Sequence, residues 1–418
     1  MLEYKASVLI PVYNVDKFLR PCLDSLAAQT IGFENIEVVL VNDGSTDNSE
    51  SICREYADKY DNVSLYSKEN EGLSKTRNYG LARCHGKYIF FLDSDDRLRA
   101  DTVKAVTDFF DTVYGEVDLV TYRIIQYYNE RPVIVHYRYR TLTETGVYDL
   151  RQPENRFITQ TNINICIKNR GENNLLFDTT PNFRHEDEKY CCDILRDKMK
   201  LGFCAEGEYI YNRDNVDSIV STKFSPENIF DTSMDFYERM FDSFGRFVPT
   251  YYQGIVFNDL RWKFKDGKLL PVHLDGEEWE KANLRIDRLL ARMEEDTIVL
   301  HPSVDGVTLF YWLMRRPNSH PIIVCGDEIK IISGGRELYS ERKIKLKSKD
   351  GRASLVSPIF LFLRKEQITV LNNGREIDFD LEKNMKNTDI LDFMPSFDYG
   401  EQNEISVIVN TKEYRVTK

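Results

Sequence analysis

The chain has 418 residues, with 56 Lys and Arg against 68 Asp and Glu, a formal net charge of −12 and 42% hydrophobic residues. That balance belongs to a folded globular protein of two or three domains. It argues against a general nucleic-acid binder, which needs a basic footprint, and no apolar run approaches the ~18 residues of a membrane span.

Residues 1–225 alternate between short β-branched runs and amphipathic stretches. The pattern predicts a strand over Val8–Val12, a helix from Val15 to about Gln29, a strand over Glu37–Val41 and a helix from Ser45 to about Tyr60. A strand at Val63–Tyr66, a helix near Ser74–Cys84 and a strand at Tyr88–Leu92 follow. The strands are nearly uninterrupted apolar runs, as expected of a parallel sheet with helices on both faces. Such strand–helix alternation predicts an α/β fold with a Rossmann-like, mostly parallel sheet. Its ligands should bind outside the carboxyl ends of the strands.

From 226 to 317 the repeat becomes helical, in Phe230, Met234, Tyr237 and Phe241 and again in Trp279, Asn283, Ile286, Leu290 and Met293. This region reads as a packing layer or a homo-oligomer contact. From 318 to 418 the pattern switches to alternation, and Asn373-Gly374 between two apolar runs signals a hairpin, which predicts a small β-rich accessory module. The first residues lead directly into a strand without a basic segment and apolar core, so no cleaved secretion signal is expected. Eight cysteines (Cys22, Cys53, Cys84, Cys166, Cys191, Cys192, Cys204 and Cys325) form no CxxC pair. They predict reduced, mostly buried thiols of a cytoplasmic protein and no zinc site.

Polar clusters stand at the strand ends of the first region. They are Pro11-Val-Tyr-Asn14, Val41-Asn-Asp-Gly-Ser-Thr-Asp47, Asn70-Glu-Gly72 with Arg77-Asn78, and Asp93-Ser-Asp-Asp96; Arg184-His-Glu-Asp-Glu188 lies far downstream. Asp93 and Asp95 are two residues apart, so on extended chain their carboxylates point to one side, with Cα atoms about 6.5 Å apart. Paired hard oxygens of this kind suit Mg²⁺ or Mn²⁺ together with substrate phosphates. An isolated pair would more often be an acidic turn; here it follows a buried strand and joins two other polar strand ends. Ser45 or Asp47 reads as a helix N-cap, while Asp43 precedes the cap and can face the cleft. Glu186 and Asp187 suit a helix N-terminus through its dipole, and Asp187 could equally serve as a general base.

In this order and spacing the clusters resemble glycosyltransferase family 2, the inverting group with the GT-A fold, over roughly residues 5–222. The resemblance implies transfer of a sugar from a UDP-sugar donor to a hydroxyl of a bacterial surface glycan or polyol-phosphate polymer. It implies that Pro11, Tyr13 and Asp43 hold the uridine, with Asn70 and Arg77 beside the base. Asp93 would face the ribose or a metal-bound water, and Asp95 would ligate Mn²⁺ or Mg²⁺. Asp187 would be the catalytic base, with Glu186 shaping its surroundings, and Arg213 and Ser218 would close over the diphosphate. The chain departs from many relatives in having Asn42-Asp43 where they have Asp-Asp, and in lacking a late His on the metal. Two other readings stay open: a non-catalytic glycan-binding scaffold, and a polyprenyl-phosphate sugar transferase. The family comparison also leaves open peripheral association with the inner face of the cell membrane.

Overall fold

The computed structural model describes residues 4–215 except 130, 136 and 182, and residues 226–416 except 266–275, 305, 317–321, 326–327, 343, 358–359, 361–364, 366–367, 383–393, 401–403 and 410–411. Ser218 therefore lies outside the described residues.

The first elements are β1 (Ala6–Val12), α1 (Asp16–Ala27), β2 (Ile36–Asp43), α2 (Ser49–Lys59), β3 (Val63–Lys68), α3 (Leu73–Leu81) and β4 (Tyr88–Phe91). Next come β5 (Arg97–Leu98), α4 (Thr102–Thr112), β6 (Leu119–Tyr128), β7 (Arg131–Val135), β8 (Gly146–Asp149), β9 (Ile165–Lys168), α5 (Glu186–Leu195) and β10 (Lys200–Asn212). They build one sheet in the order β3-β2-β1-β4-β9-β6-β10-β5, with β7 and β8 paired at its side. Strands β3, β2, β1 and β4 are mutually parallel. Strand β9 runs antiparallel to both of its neighbours, β4 and β6, so the sheet is parallel in its first half and mixed in its second. Every residue of β1, β2 and β4 is buried, which matches their uninterrupted apolar sequence.

Pro11 sits in a central strand, an unusual place for a residue without an N–H. Leu9 offers its carbonyl to Leu92, so the polar groups of Leu9 face β4, and those of Pro11, two residues on, face the same way. The β1–β4 pairing ends at Leu9–Phe91, so no ladder bond is lost at Pro11.

The helix expected from Ser45 begins at Ser49. The preceding residues are occupied elsewhere. Ser45 Oγ accepts the Asn14 N–H at 3.1 Å and Asn14 Oδ1 accepts the Thr46 N–H at 2.8 Å. Asp47 accepts the N–H groups of Asp16 and Ser49. These bonds stitch the loop after β2 to the loop after β1 and replace a first helical turn.

The chain divides into two compact units, one of residues 1–244 and 249–255, the other of residues 245–248 and 256–418. Helix α6 (Pro226–Ser243) packs in the first unit, where Ser233 meets His185 and Met234, Tyr237 and Phe241 are buried. In the second unit lie most of α7 (Thr250–Lys265), then α8 (Gly276–Ala291), α9 (Glu295–Val299) and α10 (Gly306–Arg315), followed by three antiparallel sheets. The expected hairpin is present: Asn373 and Gly374 take φ of 50° and 75° and join Ile368–Asn372 to Arg375–Ile377, the left-handed pair that this turn requires. The last two sheets share one core, in which Leu355, Val370, Phe397 and Val407 meet.

Candidate active site

The carboxyl ends of β1, β2 and β4 carry the polar clusters, and two separate constellations form there. The first surrounds Asp43, at the last position of β2. Parallel register sets it opposite Lys68, with which it forms a buried ion pair. Its two carboxylate oxygens also accept the N–H groups of Glu71 (3.0 Å) and Gly72 (2.9 Å) at the entry to α3. Burial pushes its pKa up, but Lys68 and the two N–H bonds outweigh this and hold it below the ordinary value. Gly44 follows at φ 72°, where a Cβ would lie 2.9 Å from the Asn70 nitrogen, so only glycine lets the two loops close here. Asn42 is buried and structural: its side chain accepts the Ser45 N–H and donates to Glu50. Tyr13 and Asn70 are exposed beside this cluster, with Pro11 buried beneath.

The second constellation is built around Arg77 on α3, which is only 1% exposed. Its guanidinium donates to Asp187 at 2.6 Å and to Asp93 at 2.8 Å, with Glu186 at 4.0 Å. This geometry places Arg77 between the end of β4 and the start of α5. The neighbouring Asn78 exchanges two hydrogen bonds with the backbone of Phe177, at 2.7 and 2.9 Å. Phe177 in turn lies under the Arg77 guanidinium at 5.2 Å and stacks on Tyr190 at 3.9 Å. Asn78 and the aromatic pair thus hold the bridge in place.

Charge is crowded here. Burial drives the pKa of Asp187 up, Arg77 opposes it, Glu186 and Asp93 add to the rise, and the result is about 7. A quarter of the side chain stays exposed, enough for a substrate hydroxyl to reach. Asp95 is also raised, by burial and then by the charge of Asp93. Asp96, 1% exposed, is raised further by burial and by both neighbouring carboxylates. Asn215 donates to Asp95 at 2.7 Å and the Asn212 N–H to Asp96 at 2.7 Å. Arg213, at the end of β10, is exposed, and its N–H donates to the Tyr127 carbonyl.

Among the described residues no three His, Cys, Asp or Glu side chains converge as a complete metal cage. The Asp93/Asp95 pair nevertheless fits Mg²⁺ or Mn²⁺, which keep several waters and bind through one or two carboxylates plus phosphate. Burial first and then like charge raise the pKa values of Asp95 and Asp96, and a bound cation would oppose that rise.

Sequence reasoning missed Lys68, Asn215 and Phe177. Only Lys68 left a signal, since in-register parallel strands ending in Asp43 and Lys68 bring the two side by side.

A curled, half-parallel sheet with carboxylates gathered at its strand ends is a GT-A glycosyltransferase fold. The sequence model of Glycosyl transferase family 2 matches residues 7–169, so this part of the chain is a glycosyl transferase family 2 domain. The minor teichoic acid biosynthesis protein GgaB of Bacillus subtilis is 34% identical over 317 residues, covering 74% of this chain and 35% of GgaB. The uncharacterized glycosyltransferase EpsJ of the same organism is 30% identical over 226 residues, covering 53% of this chain and 64% of EpsJ. The chain thus spans between about a third and two thirds of the length of these two relatives. Among solved structures, S. aureus TarS 1–349 in complex with UDP-GlcNAc shares the fold at TM-score 0.59 and 19% identity, over 80% of this chain and 98% of that one. A further structure of S. aureus TarS aligns over 99% of this chain and 77% of its own, at TM-score 0.57 and 17% identity.

Proposed function

We propose that the protein is an inverting glycosyltransferase that moves a sugar from a UDP-sugar to a hydroxyl of a bacterial surface glycan or polyol-phosphate polymer. The observation that carries this reading is the Arg77 bridge, which brings the base candidate Asp187 to the strand end bearing Asp93 and Asp95. The named function of GgaB and the UDP-GlcNAc held by TarS support the acceptor and donor classes.

Asp43, with Pro11, Tyr13 and Asn70 around it, receives the uridine in a cradle already fixed by Lys68 and the Glu71 and Gly72 N–H groups. Asp187 takes the acceptor hydroxyl proton as that oxygen attacks the anomeric carbon. The bond from that carbon to the diphosphate breaks on the opposite face, UDP departs, and the configuration inverts. Arg77 orients the Asp187 carboxylate and keeps part of it ionised near neutrality. Asp95, oriented by Asn215, and Asp93 would hold Mn²⁺ or Mg²⁺, which when bound neutralises the charge developing on the departing diphosphate. Arg213 and Ser218 would close over the diphosphate. No helix among the described residues is long and apolar enough to cross a membrane. The proposed place of action is the cytoplasm, at the inner face of the cell membrane.

The test is a donor and acceptor screen that reads UDP release and the anomeric configuration of the product. Release from one UDP-sugar, stimulated by a glycan or polyol phosphate and giving inverted product, is the expected result. A retained configuration removes Asp187 as the base of a direct displacement. Glycan binding without any UDP release would instead favour the scaffold reading.

A further inference from the structure

A cavity of about 300 Å³ opens on the far half of α5, away from the Asp43 cradle. It is within the usual range of small-ligand pockets. One side is apolar, formed by Ile167, Leu175 and Ile194, and Tyr190 lines it as well. Tyr190 is 1% exposed and its hydroxyl is buried without a hydrogen-bond partner, an arrangement that ordinarily costs stability. The opposite rim is charged. Asp118, itself mostly buried, is met by three cations: Lys168 at 2.9 Å, Lys198 at 3.0 Å and Arg170 at 3.0 Å. With Arg196, which also lines the cavity, four cations (Lys168, Arg170, Arg196 and Lys198) stand against the three carboxylates of Asp118, Asp193 and Asp197, a surplus of one positive charge. Consistent with this, burial lowers the pKa of Lys168 against the pull of Asp118, and Lys198 adds to the lowering. Asn174, Asp193, Arg196 and Asp197 also line it.

This mixture is selective. A surplus of cations calls for an anion, while two carboxylates and an unpartnered hydroxyl call for a ligand rich in hydroxyls, and the apolar wall suits its C–H faces. A nucleotide base or a bare phosphate satisfies only part of that set. Position adds to the argument. Asp187, Tyr190 and Ile194 follow one another at i, i+3 and i+7, so they lie along one stripe of α5. Ile194 is roughly 10 Å along the helix from Asp187.

The geometry points to this cavity as a subsite for a phosphodiester-linked polyol segment of the acceptor, held along α5 from the catalytic base. The phosphate meets Lys168 and Arg170, and the polyol hydroxyls meet Tyr190, Asp193 and Asp197. The inference rests on the glycosyl-transfer reading and specifies its acceptor.

Binding of defined oligomers of glycerol phosphate and of ribitol phosphate to the full chain tests it, beside inorganic phosphate and phosphatidylglycerol vesicles. Arg170→Glu reverses the rim charge, and Ile194→Trp fills the cavity from a half-buried position. One of the oligomers should bind the wild type, and each variant should weaken it by roughly tenfold or more. UDP affinity, which reports an intact fold, should not change. Equal oligomer affinity in wild type and both variants overturns the subsite. So does vesicle binding that the variants abolish while neither oligomer binds, which would assign the cavity to a lipid headgroup. Oligomer binding of the expected kind without UDP release from any donor would leave the subsite standing and remove the transfer reading. UDP release onto a phosphate-free glycan, with no oligomer bound, would do the reverse.

Discussion

The surroundings of Asp43 and of Asp187 lie at the ends of the same sheet, yet they balance charge in opposite ways. Asp43 has a lysine and two backbone N–H groups for one carboxylate, and its pKa is lowered. Around Asp93, Asp95, Asp96 and Asp187 carboxylates outnumber cations, and the pKa values of Asp95, Asp96 and Asp187 are raised. A satisfied cradle is ready before its ligand arrives and changes little on binding. An unsatisfied cluster is stabilised only when a cation, a proton or a reacting group joins it. On the proposed reading, binding and chemistry are divided between a finished half and an unfinished half of the site.

The comparison is broken most directly by removing charge from the unfinished half. Exhaustive chelation, or Asp95→Ala, should abolish measurable turnover and weaken UDP binding. Asn215→Ala, which only disorients Asp95, should lower divalent-ion affinity by about 10- to 100-fold. Full turnover in chelator would show that the carboxylate excess serves no metal.

Asp187→Asn keeps shape and hydrogen bonding but removes the basic oxygen. Transfer at saturating acceptor should fall by ~10²–10⁴, while calorimetric affinity for the UDP-sugar stays the same. A normal rate would move the search for the base to Glu186 or Glu188; lost donor binding would mean that α5 is structural.

The pH profile sharpens the contrast. With its pKa raised to about 7, Asp187 is protonated and unable to accept a proton at lower pH. Activity should therefore climb from pH 5, pass half its maximum near pH 7 and level off about one unit higher. Arg77 opposes that rise in pKa, so Arg77→Gln should shift the acidic limb to higher pH. A limb that stays in place would uncouple Arg77 from the base.

The smallest effect is expected on the finished side. Lys68→Met leaves Asp43 with both backbone N–H bonds, so UDP affinity should change by less than about 1.4 kcal/mol, or tenfold. A loss beyond a hundredfold would place Lys68 on the nucleotide itself.

The sequence showed these two halves unequally. The strands at Val8–Val12, Glu37–Val41 and Tyr88–Leu92 were legible because burial on both faces leaves uninterrupted apolar runs, a local signal. The strand ends bearing Asp43, Asp93 and Asp95 were legible for the same reason, as polar residues that break those runs. What joins them was not. Arg77 meets Asp187 across 110 positions and Asn78 meets Phe177 across 99, and no local periodicity records such pairings. The antiparallel entry of β9 was hidden likewise, since Ile165-Cys-Ile-Lys168 reads the same in either direction. The start of α2 moved from Ser45 to Ser49 because Ser45, Thr46 and Asp47 bond to the Asn14–Asp16 turn, a tertiary demand that overrode a good local cap.

Arg77 can bridge its two carboxylates only if α3 lies at a fixed depth on the sheet, and that depth is set by a missing side chain. At Gly80, one turn further along α3, a Cβ would stand 2.1 Å from Leu9 Cδ1 and 3.1 Å from Val41 Cγ2. Both partners are fully buried, in strands that lead into the cleft. The helix therefore rests on the strands as on a mechanical stop. A methyl group placed there must displace the Leu9 side chain or lift the helix, and a displacement of ~1 Å at the guanidinium can cost as much as ~10²-fold in rate. On the proposed mechanism, the accuracy of the reaction centre is machined into the protein at a residue that has no functional group.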